Sequence, residues 1–455
     1  MVSRAGEEKM KKQAGLTGLI VAAVFFFVPL LNGFAANPAP PIGQSKKDAQ
    51  QVPGGQTRVE QAPEQGIGAD IFGDKGGRYH PFLVVQEIYT DNLYATSTNT
   101  KDDFITTVAP GIWLAFPANR EKLLSIDTTT TSPGGLKLSR IKPEAVRRYQ
   151  SYFLYSPEFV LYADNSNHDH VNHRAEGLFQ YNFNSGLSFD IIDIFNDKEE
   201  VAGNGVIDTL YRHQDNLLDF ITTYQTRSGK LKLQLSYSNY FLDYKDSVVE
   251  YRSRMDNSFG ASVFYRFWPK TSLFLEYDYS DIEFDSGTTN DNVENRYYGG
   301  VTWDMTAKTR GTLKLGFIDK DFDAPSVSDQ DGFSVELQTQ HNLTAKRALQ
   351  VNGYRKFHES DLASASSFLS TGIDIGLLQR FSEKWSGSLN GFYERNEYNG
   401  INRDDDFFGI GPALRFKPKK WLYFDLFYYY YRNDSNISTY DYDANQIMLR
   451  GTLTL

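Results

Sequence analysis

Cysteine is missing from all 455 residues. Its absence excludes a disulfide scaffold, a thiol enzyme and any cysteine-ligated zinc or iron–sulfur site. Positive charge is short as well: 47 Lys and Arg stand against 57 Asp and Glu, a formal charge of -10. An acidic chain repels phosphate, so a nucleic-acid partner held by bulk charge is excluded. Long apolar runs are scarce too. A helical membrane protein needs repeated runs of about 20 residues, and a single run, residues 16–31, comes near that length. Aromatics, by contrast, are abundant. The chain carries 33 Phe and 29 Tyr, which chain-wide disorder would not, yet its mean hydropathy is -0.47.

The apolar run follows Lys9, Lys11 and Lys12 and precedes Asn32, Gly33, Phe34, Ala35 and Ala36. Basic, then apolar, then small residues is the layout of a secretory signal peptide, expected over residues 1–35 and cleaved after Ala35 or Ala36; the alternative is an uncleaved anchor. No cysteine follows the run, so lipidation there is excluded. Removing this segment takes away four bases and two acids and leaves the rest more acidic. Residues 36–78 are rich in Pro, Gln, Gly and Ala without apolar periodicity. They read as a disordered periplasmic spacer, with a pore plug or a tether as the functional alternative.

Residues 79–455 change character. Leu231, Leu233, Leu235, Tyr237 and Phe241 alternate with Lys232, Gln234, Ser236 and Ser238, a period of two that marks strands with one apolar and one wet face. Short connections recur around Lys270, Lys308, Lys346 and Lys384, each 38 residues after the last. Two strands, a tight turn and a longer loop fill that interval. The alternate connections are longer and acidic or Asn-rich. Short turns on one rim and long loops on the other describe a transmembrane antiparallel up-and-down β-barrel; a propeller of similar period would need four short strands per repeat. The punctuation gives about 18 strands, within a range of 16 to 20. The pattern is broken at 117–150, where residues 123–131 read as an extra strand and 142–148 as a short helical insertion. An open sheet edge in lipid costs several kcal/mol per unpaired group, so the sheet must close on itself. Tyr at strand ends, among them Tyr89, Tyr94, Tyr240, Tyr244, Tyr277 and Tyr440, reads as an interfacial girdle.

Several patterns resemble a β-barrel porin family of Gram-negative bacteria whose members often accompany exopolysaccharide-production genes. They are Tyr89-Thr90-Asp91-Asn92-Leu93-Tyr94, Asp103-Phe104-Ile105-Thr106 with Pro110-Gly111, and Asn172-His173-Arg174. The insertion at 117–150 departs from that pattern. The resemblance implies an outer-membrane pore associated with polymer export and names no substrate.

On the polar parity, Lys232, Gln234, Glu276, Asp278, Lys314, Glu336, Gln350, Asn352, Asn390 and Arg450 are the expected lumen-lining residues. Barrels of 16 to 18 strands leave an aqueous channel unless something fills it, and the mixed signs argue against a narrow ion filter. The segment 421–431 is aromatic on both parities. Tyr423, Phe427, Tyr429 and Tyr431 on the inward one are candidates for stacking on sugar rings, or for packing beneath an inward-folded loop. His168 and His170, with Asp169 and His173, form the one histidine cluster; a solvated loop accounts for them better than a metal site, since four ligands cannot be assigned. No nucleophile motif or phosphate loop stands out, and no cofactor is expected. The expected function is therefore a transport channel, with exopolysaccharide passage as its specialisation. A structural or adhesive barrel without an open pore is the alternative, and a rim enzyme a distant third. Expected partners are outer-membrane lipid and lipopolysaccharide, the barrel-assembly machinery and a periplasmic polysaccharide-export protein.

Overall fold

Alternation of apolar and polar side chains dictates the architecture, because strands whose apolar face meets lipid must pair both edges, and a sheet does so only by closing on itself. A computed structural model describes residues 77–119, 148–201, 210–285, 290–303, 308–360, 362 and 364–454. The expected signal peptide, almost all of the spacer and, apart from Arg148, the two elements expected at 123–131 and 142–148 lie outside those residues.

The strands are β1 (Gly77–Thr90), β2 (Asp103–Asn119), β3 (Tyr149–Tyr162), β4 (His170–Asn182), β5 (Leu187–Val201), β6 (Leu210–Gln225), β7 (Leu231–Tyr244), β8 (Arg254–Trp268) and β9 (Thr271–Phe284). They continue as β10 (Asn292–Trp303), β11 (Thr309–Phe322), β12 (Gln330–Thr344), β13 (Arg347–Glu359), β14 (Ser367–Arg380), β15 (Trp385–Tyr398), β16 (Asp404–Lys419), β17 (Leu422–Ser435) and β18 (Tyr442–Thr454). Each pairs antiparallel with its sequence neighbours in one 18-stranded sheet. Closure comes from β1 pairing with β18, from Phe82 opposite Thr454 to Thr90 opposite Gln446. The barrel expected from the sequence is the barrel observed. Its first strand starts at Gly77, two residues before the expected boundary.

One rim carries the short connections that contain Lys270, Lys346 and Lys384, together with both ends of the sheet; this is the turn rim. The opposite loop rim carries the connections at 91–102, 163–169, 245–253 and their counterparts. Along β7 the exposed residues are Leu233 and Leu235, while Lys232, Gln234 and Ser238 are buried. The same parity holds on β9, where Leu273 and Leu275 are exposed and Phe274, Glu276 and Asp278 are buried. The outer face is thus apolar and the inner face polar. Large rings edge the outer face at the turns, as with Trp268, Phe381 and Trp385, where an amphipathic ring prefers a membrane–water boundary.

Some of the expected girdle residues face the other way. Tyr240 and Tyr244 lie on the inner parity of β7 and pack with Tyr211, Leu217, Leu242 and Val249 of the 245–253 loop. Alternation sorts side chains into two faces, and a ring near a strand end is on whichever face its register gives it.

Candidate functional site

The lumen is built from the inner face of every strand. All ten expected lumen residues lie on it, since the register places Lys232 opposite Phe264, Glu276 opposite Ser262, Lys314 opposite Glu336, and Asn352 opposite Gln338. They divide into two groups. Lys232, Gln234, Glu276, Asp278, Lys314 and Arg450 are buried within the wall, whereas Glu336, Gln350, Asn352 and Asn390 are half-exposed on β12, β13 and β15.

Burial of charge in the first group is made tolerable by pairing. Lys314 Nζ donates to Glu276 Oε1 at 2.6 Å and lies 3.8 Å from Glu336. Nearer the loop rim Lys320 is 0% exposed, donates to Asn292 Oδ1 at 2.7 Å, and bridges the carboxylates of Glu294 and Glu359. Arg415 bridges Asp425 through two hydrogen bonds, and Arg450 Nε donates to Gln86 Oε1 at 2.8 Å. The buried Lys314, Lys320 and Arg415 are thus each offset by carboxylates. The accessible wall on β12, β13 and β15 is dominated by amides, Gln338, Gln350, Asn352 and Asn390, which offer both donors and acceptors without net charge.

Across the mouth at the loop rim lies an inward-folded loop, the alternative raised for the aromatics of 421–431, in a place the sequence did not indicate. The 91–102 loop folds into the barrel instead of out of it. Leu93 and Tyr94 pack with Val160, Tyr162 and Leu210 on one side, and Ala95 packs with Phe407, Tyr431 and Ala444 on the other. Asn92 organises the turn: its Nδ2 donates to the carbonyls of Thr96 (2.9 Å) and Asp443 (3.0 Å), and its Oδ1 accepts the Thr96 N–H at 3.0 Å. Asp91 accepts the backbone N–H and the Nδ2 of Asn445, both at 2.7 Å. Ala95 has φ +51°, a left-handed conformation that costs an L-residue about 1–2 kcal/mol, and packing on both sides holds it there. The only local signal was a run of turn-forming residues inside the Tyr89–Tyr94 motif, and it does not say which way a loop folds.

Of the four stacking candidates, Tyr429 and Tyr431 pack in the cluster that receives Ala95 of this loop, Phe427 lies further down the wall against Met448, and Tyr423 is at the turn-rim end of β17. Tyr423, Phe427 and Tyr431 are buried, Tyr431 completely, and Tyr429 is half-buried with its ring over Gly411 and alongside Phe392. Tyr423 also carries the cations of Arg415 and Lys417 against its ring, at 5.0 and 5.6 Å. In this conformation the rings serve the wall and the loop.

The histidine cluster anchors the same loop from the other side. His168 Nε2 shares a 2.7 Å hydrogen bond with Tyr94 Oη, and burial holds its imidazole below the usual range. Asp169 accepts the Tyr162 N–H at 2.8 Å, and His170 Nδ1 bonds the His168 carbonyl at 2.6 Å and faces Glu199. His173 is on the outer face against Tyr155. The structure thus splits the cluster among separate partners.

A family model described as "Putative beta-barrel porin 2" matches residues 70–454. The chain belongs to this family. It is an outer-membrane barrel of porin type, and by the rule that outer-membrane barrels keep short turns inside and long loops outside, its turn rim is periplasmic. No curated protein matches the sequence. Among solved structures it is similar to OccK11 (OpdR) of Pseudomonas aeruginosa, at 11% identity and TM-score 0.44, over 84% of this chain and 98% of that one. It is also similar to OpdK of the same organism (10%, TM-score 0.43, 83% and 99%) and to the ferric enterobactin receptor PfeA (8%, TM-score 0.43, 84% and 81%).

Proposed function

We propose that this porin-family barrel is a transport channel whose bore is narrowed at the outer mouth by the 91–102 loop. The observation that carries the reading is the division of the inner wall. Midway along the bore the charges of the wall are largely paired and sunk among neighbours, and the face left accessible there, on β12, β13 and β15, is dominated by amides beside Glu336. Such a face supports passage of a polyhydroxylated solute, because amides exchange hydrogen bonds with hydroxyls at little net cost. Passage of an exopolysaccharide is the specialised form of this reading, with a periplasmic export protein as partner; it requires the loop to swing clear. No catalytic role enters it.

Single-channel recording in planar bilayers tests the channel. Small, stable conductance steps are expected from the intact barrel, and larger ones when residues 93–101 are replaced by a short Gly-Ser link. Absence of steps in both proteins would sink the channel and leave a closed structural or adhesive barrel. Loss of secreted polymer on gene deletion would support the specialised form.

A further inference from the structure

The two rims of the barrel carry opposite charge. On the turn rim the short connections hold Lys230, Lys270, Lys308, Lys346, Lys384 and Lys420, and among the described turn residues Glu383 is the carboxylate. The strand ends extend this charge into the lumen. Arg266, Arg310, Arg380, Arg415 and Lys417 all lie on the inner face within five residues of a turn, spread over β8, β11, β14 and β16. Arg266 leans over the neighbouring turn to donate to the Ser228 carbonyl at 2.6 Å, Arg310 is held by Gln340, and Lys417 rests on Tyr423. In the same belt the described inner-face carboxylates are Asp425, already bridged by Arg415, and Asp190 on the far wall. The loop rim is the reverse, with Asp164, Asp246, Asp285, Asp323, Asp329 and Asp441 in its connections. Burial and the neighbouring Asp243, Glu250, Asp291 and Glu283 raise the carboxyl of Asp285, as expected where negative charge is crowded.

We infer that the turn-rim vestibule is a capture site for an anionic substrate, one bearing carboxylate, sulfate or phosphate groups, that enters from the periplasmic side. The inference rests on the channel reading and gives it a substrate class. Cations ringed at the entrance of a low-dielectric bore focus their field into it and raise the local concentration of anions. The inward parity of the arginines directs that field at the lumen and not at surrounding lipid headgroups. The acidic loop rim repels the same anion from the outside, so capture is one-sided. Amides along the middle of the wall then bind the substrate's uncharged parts without holding it fast.

The test compares the full barrel with an R266Q/R380Q/K417Q variant, checked for folding by heat-modifiable gel mobility. Fluorescent dextran sulfate of defined length is titrated into the detergent-solubilised barrel and followed by anisotropy, with uncharged dextran of equal length as control. Dextran sulfate should bind the parent, lose affinity steeply with added salt as charges are screened over about 8–10 Å, and bind the variant about tenfold or more weakly, since each tenfold is about 1.4 kcal/mol. Equal affinity for parent and variant, or for charged and uncharged dextran, overturns the capture site. In bilayers with one orientation of insertion, block by dextran sulfate should need less polymer on the turn side than on the loop side; symmetric block also overturns it. If the barrel never conducts yet binds dextran sulfate through these cations, the channel reading fails while the capture site stands.

Discussion

The ring of Tyr429 lies so close to the backbone of Gly411 that a β-carbon there would sit 2.2 Å from the ring. Glycine is required at 411 because the tyrosine occupies the space. Gly411→Ala should therefore destabilise the barrel by about 1–3 kcal/mol through overpacking, read as a lower temperature for the folded-to-unfolded shift on semi-native gels. Gly411→Ala with Tyr429→Ala should recover part of the loss. A double variant no better than the single one would remove the contact as the cause.

Lys320 supplies a second prediction. Lys320→Met takes the shared ammonium away from Glu359 and from Glu294, which keeps Arg296 at 3.6 Å, and breaking a buried pair from one side costs about 3–5 kcal/mol. Adding Glu359→Gln should lessen the damage. Urea unfolding in detergent micelles measures both, and a cost below about 1 kcal/mol for Lys320→Met, the range of exposed pairs, would mean water reaches the site.

The docked loop should respond to pH. Burial lowers the His168 imidazole below its ordinary 6.5, against the pull of Glu199 and Asp103 and with that of His170 and Lys101. A folded state that binds its proton less tightly than the free loop is fully stabilised above 6.5 and loses that stabilisation as pH falls through and below it. Hydrogen exchange at the Leu93 amide, bonded to the Lys101 carbonyl at 2.7 Å, should show reduced protection at pH 5 relative to 7.5. His168→Gln should abolish the difference. Unchanged protection in the parent would show that the Tyr94 contact does not hold the loop.

Parity makes a simpler prediction. Leu235 is 62% exposed on the outer face and Ser236, next to it, faces the lumen opposite Gly260. Leu235→Arg should cost about 2–4 kcal/mol if it lies near the bilayer midplane, and Ser236→Arg much less. Folding yields into lipid vesicles would compare them, and equal yields would mean the faces are misassigned.

How far the sequence discloses this molecule follows from what is local. A strand announces itself by its own alternation, so β9 at 271–284 and β15 at 385–398 are read from sequence to the residue, and the lysine interval gives the turns. The inner parity of Lys232 or Asn390 is equally local. Whether an inward residue is accessible is not, because Glu276 is sunk by Lys314, 38 positions on, while Gln350 on the same face stays half-open. The 91–102 loop was illegible for the same reason. Its anchor at Asp443 lies 351 positions away, and nothing in Asn92-Leu93-Tyr94-Ala95 favours one side of the wall over the other.

The joint between β1 and β18 brings the two ends of the sheet together, and the 91–102 loop is tied across it by Asn92 to Asp443 and by Asp91 to Asn445. The order of assembly follows. The β1–β18 pairing is the most distant in sequence and so among the slowest to form, and the loop has no partner for these bonds until it has formed. A barrel with a parted seam is therefore also one with an unlatched mouth. Protease sensitivity of residues 91–102 during refolding would then report completion of the wall, which makes the loop a built-in marker of the finished barrel.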